Sequence, residues 1–472
     1  MRFIPFVIIA LLLGTCSEQP SRLEQIREKG VLRVATRNSA TTYYQGPHGQ
    51  TGLEYDLAKR FADSLGVKLR MVVPDRFEDI LSSVAQGNTD FAAAGLSITE
   101  ARRANLRFSP PYEQVTQELV YRYGTPPPAG PRDLIGKKLV VVAGSSYIDS
   151  LKQMRAKYPA LDWTVDPDAE AGDLLAKVAE GEIDYTAADS NEVALNQLYY
   201  PELRVAFELH DPEPVAWAFK RREDDSLYEA AVAFIENMRE SGYLAQLNDR
   251  YFGHTDQFDY VGTRIFMRDI ESKLPAYRSM FEKAAKQTEF DWRLLAAVGF
   301  QESHWNPNAI SPTGVRGIMM LTRTTASSVG ISNRINPYKS ITGGAEYLRR
   351  VVEKIPERIP QPDRTWMALA AYNVGFGHLE DARILTEEDG GDPDRWIDVR
   401  KHLPWLTQRK YFKKTKHGYA RGLEPVLYVE NIRRYYDILV WATSNDTSDT
   451  YLAGDSKEVR DETHQSAEVS AP

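Results

Sequence analysis

The sequence predicts a two-lobed α/β domain followed by a mainly α domain, and three observations carry that expectation. After Gly30, strand-like and helical patterns alternate as far as about residue 255, beginning with Val31-Leu32-Arg33-Val34-Ala35-Thr36. Within that region a unit repeats: residues 80–95 align without gaps on residues 174–189, so that Val84-Ala85-Gln86-Gly87-Asn88-Thr89-Asp90-Phe91 matches Val178-Ala179-Glu180-Gly181-Glu182-Ile183-Asp184-Tyr185. Each copy reads as a helix, a Gly stop, an Asp and a small-residue strand, which implies two similar lobes. From about Ile270 the texture changes to amphipathic helices joined by polar turns.

The length of 472 residues exceeds what one compact core holds, so more than one domain is expected. With 42% apolar and 26% charged residues the composition is that of a globular protein, and a net charge of -8 gives no electrostatic case for a nucleic-acid partner. The start, Met1-Arg2-Phe3-Ile4 followed by apolar residues to Leu13, is shorter than the roughly 20 residues needed to span a bilayer, and reads as a secretory signal. Cys16 is the only cysteine, so no intrachain disulfide forms. Its place resembles a bacterial lipobox, which implies lipidation at Cys16, a periplasmic location and peripheral attachment to the outer membrane; Thr15 departs from the Gly or Ala of that pattern. A plain cleaved signal and an uncleaved anchor are the alternatives. The expected division is a leader over 1–16, a tether over 17–29, the two-lobed domain over 30–255, a linker over 256–269, the helical domain over 270–443 and a polar, disordered tail over 444–472.

In open α/β sheets, ligands bind beyond the carboxyl ends of strands, which places Gly95-Leu96-Ser97 of one lobe and Asp189-Ser190 of the other at a shared cleft. Gly52-Leu53-Glu54-Tyr55-Asp56-Leu57, and Ser97-Ile98-Thr99-Glu100-Ala101-Arg102 followed by Phe108-Ser109-Pro110-Pro111-Tyr112, resemble the polar amino-acid type of periplasmic solute-binding proteins. That resemblance implies that Arg102 grips a ligand carboxylate, as a guanidinium does bidentately, and that Asp189 pairs with the ligand's ammonium. Ser97 and Ser145, in Gly144-Ser145-Ser146 at a helix start, complete the expected ligand set. A solvated Arg102 and an Asp189 that merely caps the next helix are the plainer alternatives. Free solute-binding proteins end after about this length, so an amino-acid-binding transport component explains only half the chain.

In the second half the telling stretch is Gln301-Glu302-Ser303-His304-Trp305-Asn306-Pro307. Asp291 is a plausible N-cap for the helix before it, and Leu295, Val298 and Glu302 share one helical face, so a carboxylate sits on a stripe marked for burial. Three further clusters follow: Gly317-Ile318-Met319-Met320-Leu321, Ala370-Ala371-Tyr372-Asn373-Val374-Gly375 and Tyr428-Val429-Glu430-Asn431-Ile432. In this order they resemble the soluble lytic transglycosylase family, whose fold is lysozyme-like, and the two-module arrangement is similar to a membrane-bound branch of it. Met320 departs from the Gln of most relatives.

The resemblance implies cleavage of the peptidoglycan MurNAc-GlcNAc β-1,4 bond without water, leaving 1,6-anhydro-MurNAc ends. Glu302 is then the one acid and base, with Ser303, Met320, Tyr372, Asn373 and Tyr428 as substrate-binding or supporting residues. Burial and a helix carboxyl end should both raise the Glu302 pKa. The alternatives are Tyr428 as a core aromatic, Asn373 as a helix cap and Ser303 as a backbone binder, and for the whole chain a non-catalytic peptidoglycan-binding sensor or scaffold. His304 lacks the His-Glu-x-x-His spacing of a zinc site, so neither metal nor cofactor is expected. The expected partners are glycan strands, an amino-acid or stem-peptide ligand in the cleft, and a membrane through the lipid anchor. Residues 409–416, Arg-Lys-Tyr-Phe-Lys-Lys-Thr-Lys, form a basic and aromatic run whose plainest reading is a solvated loop; contact with an anionic glycan or a lipid headgroup is the other.

Overall fold

The computed structural model describes residues 20–255, 259–312 and 314–444. The expected leader with Cys16, the first tether residues 17–19 and the tail from 445 onward lie outside these. The rest of the tether is a folded helix, Arg22–Lys29, closed by a Ser21/Glu24 capping box and by Gly30 in the left-handed conformation. Ile26 is buried and Arg22 pairs with Asp90, so this segment is docked on the first lobe.

Two five-stranded sheets build the α/β region. In the first the order is Lys68–Val72, Val31–Ala35, Phe91–Ala92, Ala218–Lys220, Leu106–Phe108, with the first three parallel. The second runs Thr164–Asp166, Leu139–Val142, Tyr185–Asp189, Gln117–Arg122, Leu203–Glu208, again with three parallel strands first. The antiparallel pair Glu113–Val115 and Glu213–Val215 carries the chain between the lobes. The sequence repeat is a structural one. Helices Phe77–Gln86 and Ala171–Glu180 both stop on a left-handed Gly, at φ 81° for Gly87 and 83° for Gly181. In each copy the Asp before the strand accepts a neighbouring strand's backbone N–H, Asp90 from Arg33 at 2.7 Å and Asp184 from Lys138 at 2.8 Å.

The stretch expected as a linker is instead helix from Tyr260 to Ser272. Thr263, Phe266 and Asp269 are buried along one face, and the Phe266 ring meets Phe300, Trp305 and Tyr435. Three buried positions spaced by three are enough for a docked helix, but they are too few to stand out among the surrounding charges. Helical packing therefore begins some ten residues before Ile270. The main helices of this half are Arg278–Thr288, Trp292–Ser303, Pro337–Lys354, Asp363–Val374, Phe376–Glu388 and Leu423–Ser444. Leu295, Val298, Ile318, Met367, Val429 and Ile432 are fully buried where these helices pack together.

The two halves are not separate bodies, because the buried apolar residues of the first lobe and of the helical domain form one connected set. Gln246 donates to Asp363 of the helix Asp363–Val374 at 3.2 Å, and His254 bonds Asp437 of the last helix at 2.6 Å. The helix Ser190–Tyr199, which starts at the cleft, ends with Tyr199 stacked on Trp441 at 5.3 Å between centroids.

Candidate active site

The helix Trp292–Ser303 starts where the sequence places it, with the Asp291 side chain accepting the Arg293 N–H at 2.8 Å. It stops abruptly, since His304 and Trp305 have φ of 52° and 55°. Two consecutive non-glycine residues in the left-handed region cost of order 1 kcal/mol or more each, and the fold must hold them there. Trp305 does the holding: its ring is buried, and its Nε1 donates to the Ala296 carbonyl at 2.8 Å. The chain turns sharply just past Glu302 and leaves that carboxylate half-buried at the helix end.

Tyr428, buried on the helix Leu423–Ser444, donates its hydroxyl to Glu302 Oε1 at 2.6 Å. Burial pushes the Glu302 carboxyl up to about 7, opposed only by that hydrogen bond, with no neighbouring charge contributing. The carboxylates nearest in sequence or motif are engaged elsewhere: Asp291 takes the Tyr436 hydroxyl at 3.0 Å, and Glu430 faces Arg400 at 3.4 Å. Tyr372 donates to the Met319 carbonyl at 3.0 Å, and its own pKa is driven well up by burial and then by the Glu302 charge, so it borders the same site.

Of the two readings given for Ser303, the structure shows the backbone binder. Its hydroxyl donates to the carbonyls of Ile318, at 2.9 Å, and Gly299, at 3.2 Å, which ties the Glu302 helix to the following loop instead of orienting the carboxylate. Met320 is half-buried on that loop with φ 43°. Gly317 makes the loop possible: at φ 86°, a Cβ would lie 1.9 Å from the Arg334 carbonyl oxygen. Asn373 is exposed two residues before Gly375, whose φ of 95° ends one helix and opens the next.

In the cleft of the α/β region, Arg102 donates to the Ser97 carbonyl at 2.9 Å and across the lobes to the Gly144 carbonyl at 3.1 Å. A cavity of about 470 Å³ is lined by Arg102, Gly144, Ser145 and Ser146. Asp189 does not line it, but its charge acts on Arg102. Asp189 occupies the N-cap position of Ser190–Tyr199 without making a capping bond, and its Oδ1 is buried with no partner. Burial raises its pKa to about 7 despite Arg37. The Ser97 hydroxyl is likewise buried and unpartnered. The Ser145 hydroxyl donates to the Val142 carbonyl at 2.7 Å, and its backbone N–H points to the same carbonyl at 3.4 Å.

The residues missed in the cleft are Arg37, Glu192 and Glu54. Arg37 of one lobe meets Glu192 of the other at 2.7 Å, and the same Glu192 oxygen accepts Ser39 at 2.7 Å and Thr41 at 2.5 Å. Burial opposes charge on Arg37, but Glu192 and Glu170 outweigh it and raise its pKa. Glu54 accepts the Gly95 N–H at 2.8 Å and Trp217 Nε1 at 3.0 Å, which fixes the loop at the cleft. Arg37 was open to discovery, since Thr36-Arg37 lies at the carboxyl end of the strand Val31–Ala35 just as Gly95 and Asp189 lie at the carboxyl ends of theirs.

Two lobes closing on a polar cleft, joined to a helical domain with one acid held at a helix end, define a solute-binding module fused to a glycan-cleaving domain. Residues 32–254 match the bacterial extracellular solute-binding proteins, family 3, and residues 279–392 match the transglycosylase SLT domain. The chain is 49% identical over 434 residues to membrane-bound lytic murein transglycosylase F of Pseudomonas fluorescens (strain Pf-5), covering 92% of this chain and 89% of that one. It is 50% identical to the protein of the same name from Ectopseudomonas mendocina, over 94% and 91% of the two chains. To membrane-bound lytic murein transglycosylase F 1 of Alkalilimnicola ehrlichii it is 52% identical, over 88% and 85%. The chain belongs to the membrane-bound lytic murein transglycosylase F family, and it is an enzyme that acts on peptidoglycan. Among the described residues no helix is long and apolar enough to cross a membrane.

Proposed function

We infer that Glu302 is the single catalytic carboxylate and that it cleaves the MurNAc-GlcNAc β-1,4 bond without water. The observation that carries this is the 2.6 Å bond from Tyr428 to a Glu302 carboxyl raised to about 7, with no second carboxylate acting on it. A group with that pKa is substantially protonated near neutrality, so it can donate to the glycosidic oxygen as the C1–O bond breaks. The resulting carboxylate then takes the proton of the muramoyl 6-hydroxyl while O6 bonds to C1, and a 1,6-anhydro end forms. Hydrolytic glycosidases place a second carboxylate across the bond for a nucleophile or a water; an internal hydroxyl removes that need. Tyr428 positions the acid, Tyr372 supports the Met319–Met320 loop, and exposed Asn373 is available to a sugar N-acetyl group. Mass analysis of digested murein tests this: anhydro ends support it, and reducing ends contradict it.

Removing the Tyr428 hydroxyl should move the pH profile in a defined direction. The bond lowers the Glu302 pKa, so Y428F raises it. Activity that requires protonated Glu302 is lost as pH rises through that pKa. The alkaline limb of kcat is therefore expected at higher pH in Y428F than in wild type, with kcat down roughly tenfold at the optimum from lost positioning. A limb that stays put or moves to lower pH contradicts the assignment.

The cleft with Arg102, Ser97 and Asp189 is read as a sensor for an amino-acid or stem-peptide ligand. Its support is the unpartnered buried Asp189 and Ser97 oxygens beside a guanidinium, a set suited to a zwitterion. Calorimetry with cell-wall peptides, paired with turnover, is expected to give binding that D189N abolishes and that changes the murein rate; binding without a rate change ends the regulatory reading. The secretory leader and lipidation at Cys16 complete the reading, placing the enzyme in the periplasm on the outer membrane.

A further inference from the structure

The basic loop after the second motif cluster is built too firmly to be only a solvated turn. Although the chain's net charge is -8, the 25 residues 399–423 carry eight Lys or Arg and no Asp or Glu. Three of the eight are paired: Arg400 with Asp249 and Glu430, Lys401 with Asp398, and Arg421 with Glu424. The other five, Arg409, Lys410, Lys413, Lys414 and Lys416, are exposed and have no acidic partner among the described residues.

Unpaired like charges repel, so a loop that gathers five of them must be held by other contacts. Here the backbone is clamped. Buried Asp381 accepts the N–H groups of Lys416 at 3.2 Å and His417 at 2.8 Å. Tyr411 stacks on Trp405 at 4.1 Å between centroids. The Ala420 N–H donates to the Leu406 carbonyl at 3.2 Å, and Gly422 passes so close that a Cβ would lie 1.6 Å from the Leu403 carbonyl oxygen. The His417 ring covers Gly377, with its Cε1 2.6 Å from where a Cβ would stand, at the corner just past Asn373. From Gly422 the chain enters the helix that brings Tyr428 to Glu302. The loop therefore packs on the helix Phe376–Glu388, which follows Asn373 across Gly375, and runs directly into the helix that carries Tyr428.

We propose that residues 409–416 form an electrostatic docking surface for the carboxylates borne on murein peptide stems, holding the strand whose glycan bond lies at Glu302. Stem peptides carry more free carboxylates than amines, so a strand in the site presents anionic side branches to its rim. The loop runs directly into the helix that carries Tyr428, and this continuity with the catalytic site favours the substrate strand over a lipid surface. The proposal rests on Glu302 as the reaction centre, and E302Q checks that separately. If E302Q turns over murein, the site reading fails, whereas the docking reading is judged on KM alone.

The test uses the full chain with K413Q/K414Q/K416Q and, as a charge-keeping control, the same three positions changed to Arg. At about 50 mM salt on native murein, the Gln variant is expected to show a KM roughly tenfold higher, with kcat within about twofold and the Arg variant near wild type. At about 0.5 M salt wild type and Gln variant should converge, because exposed charges are then screened. They should also converge on murein whose carboxylates have been converted to neutral amides. An unchanged KM on native murein overturns the proposal, as does a loss that persists on the amidated polymer. Binding of wild type but not the Gln variant to vesicles of anionic phospholipid, with murein KM unchanged, overturns it in favour of a membrane surface.

Discussion

Turnover of murein is expected to fall by at least about 10³-fold in E302Q while the protein stays folded. The amide keeps the shape and can still accept the Tyr428 hydroxyl, so the loss isolates the proton that Glu302 gives and takes back. The same substitution has a second readout of opposite sign. The folded-state pKa of Glu302 is raised to about 7 by burial, so the stability it contributes is full below its ordinary value near 4.5 and is lost as pH rises through about 7. Above that pH the ionised carboxylate weakens the fold. E302Q is therefore expected to be more stable than wild type at pH 8, by about 1–2 kcal/mol after allowance for partial solvent access, and equal to it at pH 4. Urea unfolding at the two pH values measures this. An inactive variant without that gain would point to disrupted structure in place of a removed acid.

Truncating Glu192 to Ala should cost the α/β region about 3 kcal/mol of stability. Arg37 and Glu192 have side chains only 7% and 2% exposed, and Ser39 and Thr41 also point at the same carboxylate oxygen. Removing it leaves a buried guanidinium whose remaining ion pair is the more distant Glu170, at 3.8 Å. The double variant R37M/E192M, which buries no unpaired charge, is expected to regain most of the loss. Denaturant midpoints with equal m-values are the measurement; a cost for E192A below about 1 kcal/mol would mean that water reaches Arg37 and that the lobes are not latched by this pair.

What was legible in the chain, and what was not, follows from how far apart the interacting residues lie. The repeat around Gly87 and Gly181, the N-cap at Asp291 and the stripe Leu295, Val298, Glu302 are local patterns, and each lies within a few turns of chain. The Tyr428 contact spans 126 positions and came within reach only through the order of motif clusters. Arg37 and Glu192 lie 155 residues apart with no motif to join them, so their pairing was invisible although the strand-end rule pointed to Arg37. Ser303 admits two readings for a related reason. A hydroxyl one position from an acid suggests a functional partner, but the helix carbonyl of Gly299 and the returning loop at Ile318 were nearer. The Tyr260–Ser272 helix escaped because its buried face holds Thr263 and Asp269 as well as Phe266, a polar signature that only tertiary packing explains.

The central claim is that one carboxylate suffices because the substrate's own 6-hydroxyl replaces water. Digestion of murein in water enriched in oxygen-18, followed by mass analysis of the muropeptides, tests it most directly. The account predicts 1,6-anhydro ends with no incorporated label, formed by wild type and not by E302Q. Reducing ends carrying one heavy oxygen from the solvent would contradict it.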